Sequence, residues 1–391
     1  MELPIAARSD RPGSLWKRRK ASTATRVYRC QCGRPVFFRN SRCLACDTPL
    51  GYEVWRERVL PLQPGPEPDS WQLMHDESAA LYHRCRNFEP AGCNWLVPHH
   101  PGASDGHGGN GLCVACNLNR TIPDLSVPDN GPLWGKFEVA KRRLVSQLLA
   151  LGLPLASRVN QDPEHGLAFD FLRSPSGGPR VMTGHAGGII TLDIEEADDA
   201  KREAIRAALR EPYRTLLGHC RHEVGHYYWD RLIRDTAWLD DYRDLFGDER
   251  QDYATALRRH YEQGPPSDWA QHFVSSYASC HPWEDWAETW AHYLHLIDTV
   301  ETALSFGLDA DDVEIDHEPF GLDALWRPDD AGAAPFLELI NSWIQLTSVL
   351  NELSRSMGQP DFYPFVLSRA VVGKLQFFDV LIRSMQPGNS S

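Results

Sequence analysis

The chain has 391 residues, more than one hydrophobic core usually organises, so two or three folding units are expected. Apolar residues at 42% and charged residues at 24% lie near globular averages, which excludes global disorder, and no apolar run of about 18 residues offers a membrane span. The net charge of -13 disfavours nonspecific nucleic-acid binding by the chain as a whole, although residues 1–30 carry eight basic side chains against Glu2 and Asp10.

Residues 1–25 are expected to form a basic disordered arm on an acidic body. The arm lacks the apolar run of a secretory signal, so the expected compartment is the cytoplasm. Residues 26–60 carry Cys30-x-Cys32 and Cys43-x-x-Cys46 at the ends of a short hairpin-like segment, with Phe37 and Phe38 covering its core. Four thiolates at this spacing close a tetrahedral site and leave no position for water, which predicts a structural zinc. Segment 61–70, PLQPGPEPDS, is too rich in proline and glycine for regular structure and reads as a connection.

Residues 61–128 form a second four-cysteine segment, with Cys85, Cys93, Cys113 and Cys116 predicted to hold another structural zinc. Its Cys85 to Cys93 gap is wide, and His83, His99, His100 or His107 could replace one sulfur. Close cysteine pairs of this kind suit metal binding inside cells better than disulfides. Cys220 and Cys280 are left over and read as free, buried thiols.

The main domain is expected over 129–391. From Leu133, Phe137, Ala140, Leu144, Leu148 and Leu151 recur at helical spacing, with Gly152 and Pro154 as a stop. LAFDFL at 167–172 and GGIITLDI at 187–194 read as two strands of one sheet. The acidic run EEADDA opens a charged helix over about 198–209 and suits its N-terminus. Pro212 fits the first turn of the next helix, and the rest is nearly all helical. The expected class is α+β: a zinc-ribbon region, then a mostly helical domain with a small β-sheet.

That next helix contains HEVGH. His222 and His226 stand one turn apart on one face, close enough to share a tetrahedral zinc ion, and Glu223 is placed to take a proton from the attacking water. A third ligand is expected downstream, in HPWEDWAETWAHYLH, where Glu284, Glu288 and His292 share a helical face. Glu284 is assigned as the ligand and Glu288 as the group orienting a metal-bound histidine, with the reverse left open. His219, His292 and His295 read as polar neighbours of the site.

HEVGH followed by EDWAE resembles the gluzincin arrangement, and the ExxAE form is similar to anthrax-lethal-factor-like peptidases. The resemblance implies a tyrosine about two helical turns before the ligand glutamate as oxyanion donor, a place taken by Tyr277. More widely, the cysteine hairpin, CVACNLNRTIPDLS, TGHAGGIITLDIEEADDAKRE, EPYRTLLGHCRHEVGHYYWDRLI and LNELSRSMGQPDFYPF resemble a bacterial family of zinc-binding metallopeptidases with an N-terminal zinc ribbon. The implied function is zinc-dependent peptide hydrolysis with one catalytic and two structural Zn2+, acting on a peptide or protein substrate and not on a membrane.

In zincins a strand edge beside the metal pairs with extended substrate, and GGIITLDI, through Gly188, Ile190 and Leu192, is the expected candidate. The competing reading is a binding or scaffold protein, its ribbon and basic arm contacting a protein or nucleic acid, with a non-catalytic zincin domain. Steeply salt-dependent nucleic-acid binding without peptide cleavage would distinguish it.

Overall fold

The computed structural model describes residues 26–99, 110–175, 177–209, 214–313, 315 and 317–386. The arm 1–25, His100, His107 and Pro212 lie outside the described residues. The chain is α+β, β-rich first and helical afterwards. Strands β1 (Tyr28–Arg29) and β2 (Pro35–Val36) form a small hairpin. Then β3 (Leu50–Glu53), β4 (Arg58–Pro64), β5 (Trp71–Leu73), β6 (Leu81–Arg84) and β7 (Leu96–Pro98) make an antiparallel sheet in that order.

Two local expectations change here. Much of PLQPGPEPDS is strand: Leu62, Gln63 and Pro64 pair with Leu73, Gln72 and Trp71. Proline lacks an N–H but keeps its carbonyl, and Pro61 O accepts from Met74 N at 2.9 Å. The turn proper is Gly65 to Ser70, closed by a 2.9 Å bond between the glycine N–H and the serine carbonyl. The sheet therefore runs across residues 60 and 61, where a boundary was expected. Phe37 also departs from its expected place in the core, being 52% exposed; Phe38 alone turns inward, against Tyr52 and Trp95.

Beyond the ribbon, β8 (Asn119–Thr121) leads into helix α1 (Asn130–Ala150), which starts three residues earlier than its apolar period suggests. Phe137, Ala140, Leu144 and Leu148 of α1 are buried, as that period requires. Strands β9 (Ala168–Leu172), β10 (Gly184–Ala186) and β11 (Ile189–Asp193) complete a second sheet of order β10-β11-β9-β8. Within it β11 and β8 run parallel to β9, while β10 is antiparallel to β11.

This order corrects the expected substrate edge. Gly187 and Gly188, with φ of +54° and +83°, form the two-residue turn of a tight hairpin, a conformation open to glycine. The hairpin places β10 outside β11. Ile190 and Leu192 are consequently buried in an inner strand, and the sheet's edge strands among the described residues are β10 (Gly184–Ala186) and β8.

The helices follow: α2 (Asp199–Leu209), α3 (Leu216–Leu232), α4 (Leu239–Phe246), α5 (Tyr253–Gln263), α6 (Pro282–Ser305), α7 (Ala333–Ser356) and α8 (Arg369–Ser384). Helix α3, which carries HEVGH, is capped by Thr215, whose hydroxyl accepts from Gly218 N at 3.0 Å. Helix α6 is capped by His281, whose ring nitrogen accepts from Trp283 N at 3.0 Å. Pro282 occupies its first turn, and the acids Glu284 and Asp285 suit the positive end of the helix dipole.

Helices α3 and α6 meet at Gly225. A Cβ there would lie 3.0 Å from the Ala287 Cα, and Trp286 Nε1 donates to Gly225 O at 2.8 Å. The glycine in HEVGH is thus what lets the two motif-bearing helices touch. Trp286 and Trp290 then pack on Phe378 of α8, forming an aromatic core beneath the contact. Among the described residues, no helix is long and apolar enough to cross a membrane.

Candidate active site

The α3–α6 contact brings His222, His226 and Glu284 together. Their ligand atoms lie within 4.8 Å of one another. The two Nε2 atoms are 3.2 Å apart, and Glu284 Oε2 is 3.0 Å from His222 Nε2 and 3.5 Å from His226 Nε2. Zn–N bonds near 2.0–2.1 Å set two imidazole nitrogens about 3.3 Å apart across a tetrahedral ion. The three atoms therefore fit zinc without rearrangement.

The hydrogen bonding agrees with that fit. Glu284 Oε2 is buried and accepts no well-directed hydrogen bond, although Oε1 takes one from the Tyr253 hydroxyl at 2.7 Å. An atom so buried needs a partner, and an ion shared with both imidazoles supplies one. Burial alone would raise the Glu284 carboxyl, but His226 and His222 hold it well below the usual carboxylate range.

Glu288 lies on the opposite side of His222. Its Oε1 accepts from His222 Nδ1 at 2.7 Å and its Oε2 from Ser275 Oγ at 2.6 Å. A carboxylate on Nδ1 fixes the tautomer that presents Nε2 as a ligand. Here, then, Glu284 faces the ligand cluster and Glu288 faces away from it.

A cavity of about 400 Å³ opens beside the cluster and is lined by His222, Glu223, Tyr277 and Glu288 among others. The Tyr277 ring lies 6.0 Å from that of His222. Burial and the nearby Glu284 raise its phenol well above the usual value, so it stays a neutral donor. Tyr253 of α5 enters the same cavity; nothing in its local sequence marks it, since it sits 31 residues before Glu284 on another helix.

His219, Glu223 and Glu196 form a line. His219 Nδ1 is 2.8 Å from Glu196 Oε2 and its Nε2 is 3.3 Å from Glu223 Oε1. Burial works against charging the ring, but the two carboxylates override it and hold its proton up to about 9. Glu196 belongs to EEADDA, where the acids suggested a helix N-terminus; Asp198 caps that helix, accepting from Lys201 N at 2.9 Å, and Asp199 lies in its first turn, whereas Glu196 turns to His219. Farther along the cavity wall, His292 meets the Tyr363 hydroxyl and His295 meets Arg221. Burial leads in lowering both rings, His292 to about 4.

The cysteines gather into two clusters. Cys30, Cys32, Cys43 and Cys46 form one, with Sγ separations of 3.5 Å for Cys30–Cys46 and 3.8 Å for Cys32–Cys43. Cys85, Cys93, Cys113 and Cys116 form the other, fully buried, with Cys93 Sγ 3.6 Å from Cys113 and 3.8 Å from Cys116. Zn–S bonds near 2.3 Å give a tetrahedron with edges of about 3.8 Å, whereas a disulfide would need about 2.05 Å. The second site has all four sulfurs despite its wide gap. His83 and His99 bond each other instead, at 2.9 Å. Cys220 and Cys280 are buried and free.

Comparison with known proteins agrees with both halves. Residues 27–127 match a zinc-ribbon domain model, and residues 130–381 match the family described as "Putative zinc-binding metallo-peptidase". Proteins of Mycobacterium bovis and of two strains of Mycobacterium tuberculosis, each described as uncharacterized, are 42% identical over 364 residues. The match covers 93% of this chain and 96% of each of theirs. No solved structure matches. With well over half its length inside the family model, the chain belongs to the zinc-binding metallopeptidase family and carries a zinc ribbon ahead of the peptidase unit.

Proposed function

We propose that the protein is a zinc-dependent peptidase of the HExxH-plus-glutamate, gluzincin type, holding one catalytic and two structural zinc ions. The observation that carries the reading is the convergence of His222, His226 and Glu284 within 4.8 Å, with His222 on the wall of a cleft. Bound there, zinc supplies Lewis acidity and makes a water nucleophilic near neutral pH.

The chain's own residues do the rest. Glu223 takes the proton of the attacking water and returns it to the leaving amine. Tyr277 donates its phenol to the oxyanion as the carbonyl becomes tetrahedral. Glu288, steadied by Ser275, holds His222 in its ligand tautomer. An extended substrate is read by its main chain along β10, the edge strand packed beside α3, which makes it a peptide or protein segment without fixed structure. The ribbon zincs are structural, since four thiolates leave no open position. We infer the cytoplasm as the compartment, because reducing conditions keep such thiols as ligands.

The test is Glu223→Gln. The variant is expected to keep all its zinc and lose turnover; comparing protein termini in cells with active and inactive enzyme would name the substrate. Full activity in the variant would remove Glu223 from the mechanism. Zinc content unchanged in His222→Ala would remove the metal assignment.

A further inference from the structure

We propose that His219 is the positioning residue of the general base: anchored from behind by Glu196, it fixes the Glu223 carboxylate against the attacking water and ties it to the root of strand β10. The inference rests on the peptidase reading for the role of Glu223, but its geometry stands separately.

His219 lies one helical turn before Glu223, so the two side chains share a face of α3. Its ring meets a carboxylate at each nitrogen, Glu196 at 2.8 Å and Glu223 at 3.3 Å. A carboxylate only accepts, so both ring nitrogens must donate. Glu223 Oε1 thereby lies within ion-pair distance of one ring nitrogen, at 3.3 Å. Among the described residues, His219 is the only polar side chain within ion-pair distance of Glu223. Without it the buried carboxylate could rotate about its last bonds and would lose its partner.

Glu196 is itself held from three directions. Thr183 Oγ1 donates to its Oε1 at 2.8 Å, Arg214 Nη2 to its Oε2 at 3.1 Å, and His219 to the same oxygen. These bonds, with the His219 charge leading, overcome burial and hold the Glu196 carboxyl down to about 2. Thr183 is the residue before β10, and its hydroxyl also accepts from Asp193 N at the end of β11, at 3.3 Å. One chain of polar contacts thus runs from the residue before β10 through Glu196 and His219 to Glu223: hydrogen bonds as far as His219, then an ion pair. A substrate paired along β10 and the base that serves its scissile bond share one anchor.

A merely structural ion pair would account for the burial but not for the location. Thr183, Arg214, His219 and Glu223 all line the cleft, and the charged pair carries a desolvation cost that an apolar contact would avoid.

The experiment compares His219→Leu, His219→Gln and Glu196→Gln with the parent, each loaded with zinc, on a quenched-fluorescent peptide library. Loss of an orienting partner typically costs about 10- to 100-fold, so His219→Leu should lose that much kcat with KM and zinc content unchanged. Glutamine at 219 offers an N–H near the ring's outer nitrogen and should recover part of the loss. Parent-like kcat in His219→Leu, or a loss confined to KM, overturns the proposal. A second arm needs no turnover: acetohydroxamate is titrated by visible absorption into cobalt-loaded protein, where its O–H proton would pass to Glu223 on binding, a transfer that needs a correctly aimed carboxylate. Weaker binding in His219→Leu at equal cobalt content supports the proposal, and equal binding overturns it. If the parent cuts no peptide, the peptidase reading fails while this arm still decides the positioning role.

Discussion

Two phenols stand near His222 and Glu284, and under the proposed function their contacts suit them to different work. Tyr253 spends its hydroxyl on Glu284 Oε1, steadying the ligand whose other oxygen faces the histidines. Tyr277 lies beside His222 on the cleft wall, with its hydroxyl not spent on Glu284, and is the proposed oxyanion donor. Tyr277→Phe is therefore expected to lower kcat by about 100- to 1000-fold with zinc content unchanged. Tyr253→Phe is expected instead to loosen zinc, by about 10- to 100-fold in affinity, as loss of an outer partner does. Zinc competition with a chelator and steady-state kinetics on both variants separate the two roles; a Tyr253 variant that binds zinc normally but fails in kcat would exchange them. At this scale the local sequence is informative where spacing is helical and silent where it is not. His222, His226, Glu284 and Glu288 are legible because one turn of helix dictates that they share a face. Tyr253, Ser275 and Glu196 come from other elements, and no local period points to them.

Helices α3 and α6 behave as one device whose tolerance is set by Gly225. Any side chain there meets backbone at Ala287, which cannot swing aside, and the Trp290 ring at 3.2 Å. Gly225→Ala should push the helices apart by a few tenths of an ångström where His226 and Glu284 face each other. The expected outcome is weaker zinc binding together with a stability loss of about 1–3 kcal/mol, the usual cost of overpacking. Thermal melting with and without zinc reads both, and an unchanged melting temperature in each state would show that the contact has slack. The sheet tells a related story. GGIITLDI was recognisable as a strand from its β-branched run, but its neighbours were not. The turn at Gly187 and Gly188 folds β10 back over it, and a hairpin of three-residue depth leaves too little pattern to see in sequence.

Across the whole molecule, one buried carboxylate joins the ribbon to helices α1, α3 and α6. Asp298 of α6 takes Arg26 from the start of the ribbon at 3.1 Å, Arg143 from α1 at 2.8 Å and Arg221 from α3 at 2.8 Å. Arg221 directly precedes His222. Burial would raise the Asp298 carboxyl, but the three guanidinium groups hold it well below the usual range. A carboxyl depressed in the folded state contributes stability above its unfolded pKa of about 4, and that contribution fades as pH falls below it. The protein should therefore lose stability on acidification below about pH 4 through this group, and Asp298→Ala should remove about 3–5 kcal/mol at neutral pH by stranding buried charge. Melting curves across pH are the check; an Asp298→Ala protein with the parent's acid limb would show that the junction is inert. The hydrophobic core is continuous across the same region, from Tyr28 and Trp95 to Trp134 and Trp290.

The sequence by itself pointed to the first four-cysteine cluster, the HEVGH helix, a downstream pair of glutamates and the α+β order, because each depends on short-range spacing; it left open the fourth member of the second cluster and which glutamate faces the histidines. Cysteines two or three residues apart and imidazoles one turn apart can be matched to an ion without knowing the rest of the chain. Only the tertiary structure decided which strand is the edge, which tyrosine bonds the ligand, and what stands behind Glu223. Those relations join residues as far apart as Thr183, Glu196 and His219, or Arg26 and Asp298, which the chain brings together only when its helices and sheets pack. HEVGH announces a metal, and the packing supplies what aims it.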